Sequence, residues 1–195
     1  MSKSRTTMLS VLIAGAVLAG GTAALPAQAE PRQATVAEKS APASAELSAP
    51  ALRKSTRAQT LARARIWLTA NNGRQVPYSQ TKRWKDGYRQ DCSGYASMAL
   101  GLSKPGPNTV ALANTRSITR PISMSQLKPG DLVIDAIGGP NSRHVVIFEK
   151  WNNAAHSSYM AYEQRGGHGT DHRSLTYGLK KGSQFKAYRP VQYRD

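Results

Sequence analysis

Apolar and polar positions divide the chain into three regimes. Met8 to Leu25 is a continuous apolar run of small, uncharged residues. Residues 30–53 are mainly Ala, Ser, Pro and Glu and show no hydrophobic period. Beyond them the pattern becomes that of a folded domain. Leu61, Ala64, Trp67 and Leu68 share one face of a helix that Ser55 or Thr56 caps and that runs to about Ala70. Asn71-Asn72-Gly73 ends it, because Asn and Gly tolerate the left-handed conformation. Tyr95, Met98, Ala99 and Leu102 stand at i, i+3, i+4 and i+7, which predicts a second helix from about Cys92 to Leu102. Lys104-Pro105-Gly106-Pro107 stops it. Val110 to Ala113 makes a third, short helix, and the rest of 108–126 carries no clear pattern.

The period then changes from helical to extended. Leu127-Lys128-Pro129-Gly130-Asp131 is a tight turn that feeds a strand, Leu132 to Ile137. Gly138-Gly139-Pro140-Asn141 turns the chain into a second strand, His144 to Trp151. After a polar loop comes a third, Tyr159 to Gln164. A glycine-rich stretch, Arg165 to Thr170, breaks the pattern, and a last strand is expected at Phe185 to Val191. Helices followed by an antiparallel meander predict an α+β domain, with N-terminal helices packed on one face of a mainly antiparallel sheet.

The first two regimes are not part of that domain. Lys3 and Arg5 precede the apolar run, and Ala27-Gln28-Ala29 follows it as a small-residue cleavage site. The expectation is a signal peptide over 1–29, a disordered linker over 30–53 and a single folded domain over 54–195. Cleavage near Ala29 would leave a secreted, extracellular, wall-associated protein. No apolar stretch of 18 residues occurs after residue 29, so membrane contact is expected only during export.

Charge narrows the neighbourhood. Lys and Arg number 27 against 11 Asp and Glu, a formal net charge of +16. That balance points to an anionic partner. With export, a phosphate- or carboxylate-rich wall polymer outranks nucleic acid, and no specific nucleic acid is expected. Nothing in the pattern calls for self-association, and a monomer is expected.

Cysteine usage carries the chemistry. Cys92 is the only cysteine, so it cannot pair within its own chain. Burial is the commonest role of such a thiol. Its place at the first turn of a predicted helix, in Asp91-Cys92-Ser93-Gly94, suggests another. A helix N-terminus favours an anion by at most about 2 kcal/mol. That is roughly 1.5 pKa units, too little to make a stable thiolate at neutral pH. A histidine must take the proton. Four are available: His144, His156, His168 and His172. His168-x-x-x-His172 has the spacing of a metal pair, but Gly167 and Gly169 oppose the helix that would align the rings. No metal and no cofactor is expected. His144 opens an apolar strand and is the best oriented for proton transfer. A base histidine also needs a group to fix its tautomer. The neighbouring strand offers two, depending on register: Glu163 or Gln164 directly opposite His144.

Three segments together resemble the NlpC/P60 family of papain-like cell-wall cysteine peptidases: Asp91-Cys92-Ser93-Gly94 opening a helix, Leu127-Lys128-Pro129-Gly130-Asp131-Leu132-Val133 entering a strand, and His144-Val145-Val146-Ile147-Phe148. The resemblance covers about residues 57–191. It implies the papain-like fold, with Cys92 as nucleophile, His144 as general base and a polar third residue, Glu163 or alternatively Gln164. Val76-Pro77-Tyr78 resembles the family segment whose tyrosine lies near the thiol. Tyr78 and Ser93 are therefore the expected oxyanion or substrate-binding residues. Ser79-Gln80-Thr81-Lys82 stands where the family usually has Gly-Gly. The activity implied is hydrolysis of amide bonds in peptidoglycan stem peptides. The competing readings are a related amidase or acyltransferase on another amide or ester, and a non-enzymatic cationic protein that binds wall polymer.

Overall fold

The computed structural model of the chain describes residues 55–193. The expected signal peptide and linker, 1–29 and 30–53, lie outside the described residues. Three helices come first: α1 (Arg57–Ile66), α2 (Cys92–Leu100) and α3 (Thr109–Asn114). Six strands follow: β1 (Thr119–Ile122), β2 (Leu132–Asp135), β3 (His144–Trp151), β4 (Tyr159–Arg165), β5 (Gly169–Leu175) and β6 (Lys186–Pro190). They form one antiparallel sheet in the order β1-β6-β2-β3-β4-β5. The fold class is α+β.

Local chemistry sets the helix ends. Thr56 accepts from the Gln59 N–H while the Gln59 side chain accepts from the Thr56 N–H, a capping box at the start of α1. The helix closes at Ile66, earlier than its apolar face suggests. Its last turn tightens, with Leu68 and Thr69 N–H bonding to Arg65 and Ile66 carbonyls. Asp91 caps α2 by accepting from the Gly94 N–H at 2.6 Å, and Gly101, left-handed at φ 71°, ends it.

The helices pack on one face of the sheet. Leu61, Ala64 and Trp67 of the first helical segment meet Tyr95, Ala99 and Leu100 of α2 over Leu132, Ile134, Val145, Ile147 and Tyr162. The polar ends of the buried aromatics are bonded: Tyr95 donates to the Ala64 carbonyl at 2.8 Å and Trp67 to Asp86 at 2.7 Å. Trp84 lies half-buried against this core with the Lys85 ammonium over its ring. A second apolar layer covers the opposite face, where Val133, Val146, Phe148, Tyr159 and Ala161 meet Leu127, Tyr177 and Phe185. The predicted turn at Pro129-Gly130 is fixed by Asp131. This fully buried carboxylate bonds Arg189, Arg57 and the Lys128 N–H.

Three features differ from the expected meander. First, β6 does not follow β5 in the sheet. The chain crosses back and β6 inserts between β1 and β2, which carries the 176–185 connection over the start of β3. Second, β1 and β5 were not predicted. Third, the β3–β4 register is shifted. Glu163 lies opposite Val146, and Phe148 opposite Ala161, with an irregularity between Phe148 and Lys150. Neither expected register, with Glu163 or Gln164 opposite His144, occurs.

Candidate active site

The Asp91-Cys92-Ser93-Gly94 turn is held from below by Arg89. Its Nε donates to Asp91 Oδ2 at 2.8 Å, its Nη1 to the Gly106 carbonyl at 2.5 Å, and its Nη2 to Ser93 Oγ and the Pro107 carbonyl at 3.0 Å each. Ser93 Oγ in turn donates to Asp91 Oδ1 at 2.9 Å. The Ser93 hydroxyl is thus consumed by the turn, and only its backbone N–H, in the open first turn of α2, is left to meet an oxyanion.

Gly94 is required by packing. A Cβ at this position would overlap the Arg89 carbonyl oxygen and lie 2.7 Å from its carbon. Helix propensity alone favours alanine over glycine by about 1 kcal/mol. Gly94→Ala is nonetheless expected to destabilise the domain by about 2 kcal/mol or more, because backbone rather than a flexible side chain must yield. A urea midpoint at or above that of the wild type would refute the close approach.

Cys92 sits at the first position of α2, buried, with Thr109 Oγ1 at 3.8 Å from its sulfur. Across the cleft, His144 opens β3. Its Nε2 bonds Glu163 Oε2 at 2.7 Å, and the ring is near enough to Cys92 for the thiol to act on its protonation. With Nε2 taken by Glu163, the nitrogen that serves Cys92 is Nδ1. Burial pushes the imidazolium toward losing its proton, but its interactions with Cys92 and Glu163 outweigh it. The pKa is raised to about 9. Tyr177 and Phe185 stand edge-on to the ring, with centroids at 6.1 and 6.4 Å. They come from the 176–185 crossover, so the unexpected path of the chain walls this histidine.

The shift in register explains which candidate on β4 meets His144. A displacement of two residues keeps the same side chains on each face, whereas a shift of one exchanges them. Glu163, opposite Val146, is therefore on the His144 face and reaches the ring diagonally. Gln164 is on the helix face. Its Nε2 donates to the carbonyls of Val76, Pro77 and Gln90, and its Oε1 accepts from Thr170. Gln164 does not touch His144. It ties the segment carrying Tyr78 to the sheet.

Glu163 is fully buried and has a second donor, Arg173 Nε, at 2.5 Å from Oε1. Burial raises its carboxyl pKa, but bonds from His144 and Arg173 prevail and hold it below its ordinary value. Arg173 also donates to the Tyr177 hydroxyl at 3.2 Å. Sequence reasoning passed over Arg173 because it lies on the unpredicted β5. It passed over Arg89 because that residue reads as one of a basic run.

Tyr78 lines the hollow that contains Cys92, about 160 Å³, and the neighbouring one that contains His144 and Glu163, about 430 Å³. Burial first, and the charges of Cys92 and Asp91, raise its hydroxyl pKa despite a hydrogen bond from Gln80. It remains a neutral O–H donor at the cleft. The Gln80 amide spans the rim, donating to Tyr78 Oη at 3.3 Å and to Asn141 Oδ1 at 3.0 Å. The other histidines are elsewhere. His156 stacks on Trp151 at 4.0 Å, His168 lies 3.7 Å from Asp171, and His172 bonds Glu149 at 2.8 Å while stacking on Tyr162. Among the described residues, no three His, Cys, Asp or Glu side chains gather as a metal site.

Comparison with known proteins gives a sparse picture. No family model matches the chain, and no curated protein matches it. Among solved structures, the chain is similar to the crystal structure of the NlpC/p60 domain of peptidoglycan hydrolase SagA. Identity is 20%, the match covers 67% of this chain and 96% of that chain, and the TM-score is 0.42.

Proposed function

We propose that the chain is an exported cysteine peptidase that hydrolyses amide bonds in peptidoglycan stem peptides. The observation that carries the reading is one imidazole, His144, bonded to a buried carboxylate, Glu163, and near enough to the only cysteine for that thiol to raise its pKa. A nucleophile, a base and an orienter in sequence define thiol-mediated acyl transfer. The sulfur, as thiolate beside the imidazolium, attacks the amide carbonyl. The oxyanion that forms faces the first-turn N–H groups of α2, with the Tyr78 hydroxyl across the cleft. His144 then gives its Nδ1 proton to the departing amine. A water molecule attacks the resulting thioester, losing its proton to the now neutral imidazole; the C–S bond breaks, the carboxylic acid leaves, and the thiolate–imidazolium pair is restored. Glu163 keeps Nε2 protonated throughout.

The substrate assignment draws on the three motif segments and the net charge of +16, which suits an anionic wall polymer. The leader over 1–29 would place the enzyme outside the cell. The test is to incubate the full chain with purified peptidoglycan and identify soluble products by mass spectrometry. Fragments cut at peptide bonds of the stem are expected. Cutting only at the sugar–peptide junction would overturn the stem-peptide assignment in favour of an amidase. No release would overturn the wall substrate.

A further inference from the structure

We infer that Arg143 is a specificity-determining residue that selects substrates with a free carboxylate beside the amide attacked by Cys92. This rests on the cysteine-peptidase reading and names the substrate class more closely.

Arg143 directly precedes His144 and lines both hollows of the cleft, the one holding Cys92 and the one holding Glu163. It is half-buried, yet its guanidinium has no hydrogen-bonding or ionic partner among the described residues. The other charges of the cleft are matched internally. Arg89 is taken by Asp91 and two carbonyls, and Arg165 by Asp171 at 2.8 Å. Glu163 is taken by His144 and Arg173. One guanidinium is left without a counter-charge at the place where the scissile carbonyl must lie.

The hairpin backbone that carries it is fixed in advance. The Arg143 N–H bonds the Gly139 carbonyl at 3.2 Å, and Ser142 Oγ bonds the same carbonyl at 3.1 Å. Gln80 ties the hairpin tip to the Tyr78 segment through the Pro140 carbonyl and Asn141. A guanidinium carried on this hairpin can present paired N–H donors to a planar anion, the geometry that suits a carboxylate. An anion bound there lies in the same hollow as the attacking sulfur, which Arg143 and Cys92 both line.

Two alkylating reagents with the same leaving group read this directly. Iodoacetate carries a carboxylate and iodoacetamide does not. The rate at which each modifies Cys92 is measured in the full chain, in Arg143→Gln and in Arg143→Lys. The iodoacetate-to-iodoacetamide ratio cancels any general effect on the thiol. It is expected to fall about tenfold in Arg143→Gln, in keeping with loss of one charge-assisted contact, and less in Arg143→Lys. Matched synthetic peptides whose carboxylate is free or amidated should lose their kcat/KM difference in Arg143→Gln, mainly through KM. An unchanged ratio in a protein whose Cys92 still reacts with iodoacetamide overturns the Arg143 assignment and leaves the peptidase reading standing. A Cys92 inert to both reagents in the wild type overturns the peptidase reading and this inference with it.

Discussion

Cys92→Ala is expected to abolish release of wall peptides while leaving the domain folded. Loss of a nucleophile that acts as a unit with its base lowers kcat by about 10⁴-fold or more in comparable machinery. The thiol is buried and the hydroxyl it contacts, Thr109 Oγ1, is 3.8 Å away, too long to count as a strong bond. Removing the sulfur deletes a small apolar volume at the end of α2, worth roughly 1 kcal/mol. The turn itself is held by Asp91, Arg89 and the Gly94 contact, none of which involves the sulfur. Cys92→Ser is expected to be nearly as inactive, since a hydroxyl is a far poorer acid than a thiol and stays protonated beside His144. Peptide release and thermal melting of the same preparations check both halves. Undiminished release by either variant would sink the mechanism. A collapsed melting transition would instead assign Cys92 to the core, its commonest role.

The elements legible in the sequence are those whose environment is two-sided or strongly periodic. β3 is read correctly from His144 to Trp151 because its run is apolar on both faces, and both faces are covered. The strands that escaped prediction are the two edges of the sheet. β1 contains Pro121 and pairs only with β6. β5, Gly169 to Leu175, is Thr, Asp, His, Arg and Ser between its ends. Edge strands favour such residues, which blunt unpaired backbone groups, so their sequences look like loops. The order of β6 was hidden for a different reason: strand pattern says which face is buried but not which neighbour is chosen.

The site shows the same division. Cys92 and His144 stand at element ends that local rules locate, a capped helix start and the first residue of an apolar strand. The choice between Glu163 and Gln164 depended on register, and the actual register is set by the hairpin beyond Phe148, which pattern does not encode. Parity survives a two-residue shift, and parity alone separates the two side chains: one faces His144, the other braces the Tyr78 segment. Arg173 and the aromatic wall of Tyr177 and Phe185 come from chain with no period at all. Only the fold brings them to the histidine.

Glu163→Gln is expected to lower kcat by about 10²–10⁴-fold with little change in KM, although the two side chains have nearly the same shape. The reason is a count of acceptors. Glu163 receives His144 Nε2 on one oxygen and Arg173 Nε on the other. Glutamine has a single acceptor oxygen. Arg173, always charged, claims it. The amide NH₂ then faces Nε2 and forces that nitrogen to accept, which moves the neutral ring's proton to Nδ1, the nitrogen that must take the thiol proton. The pH dependence carries the same signature. His144 is raised to about 9 with Glu163 as one of its two negative partners, so in the variant the alkaline fall of kcat/KM should begin at lower pH. Stability should follow. The raised histidine contributes fully below its ordinary value of 6.5 and ceases to contribute as pH rises through about 9. The lowered Glu163 contributes above its ordinary value of 4.5 and ceases as pH falls through its depressed folded value. The wild-type advantage in urea midpoint should therefore be greatest between about pH 4.5 and 6.5 and narrow on either side, steadily from about pH 6.5 and levelling off above about pH 9. A Glu163→Gln enzyme with an unmoved alkaline limb would mean that the carboxylate packs against His144 without governing its proton.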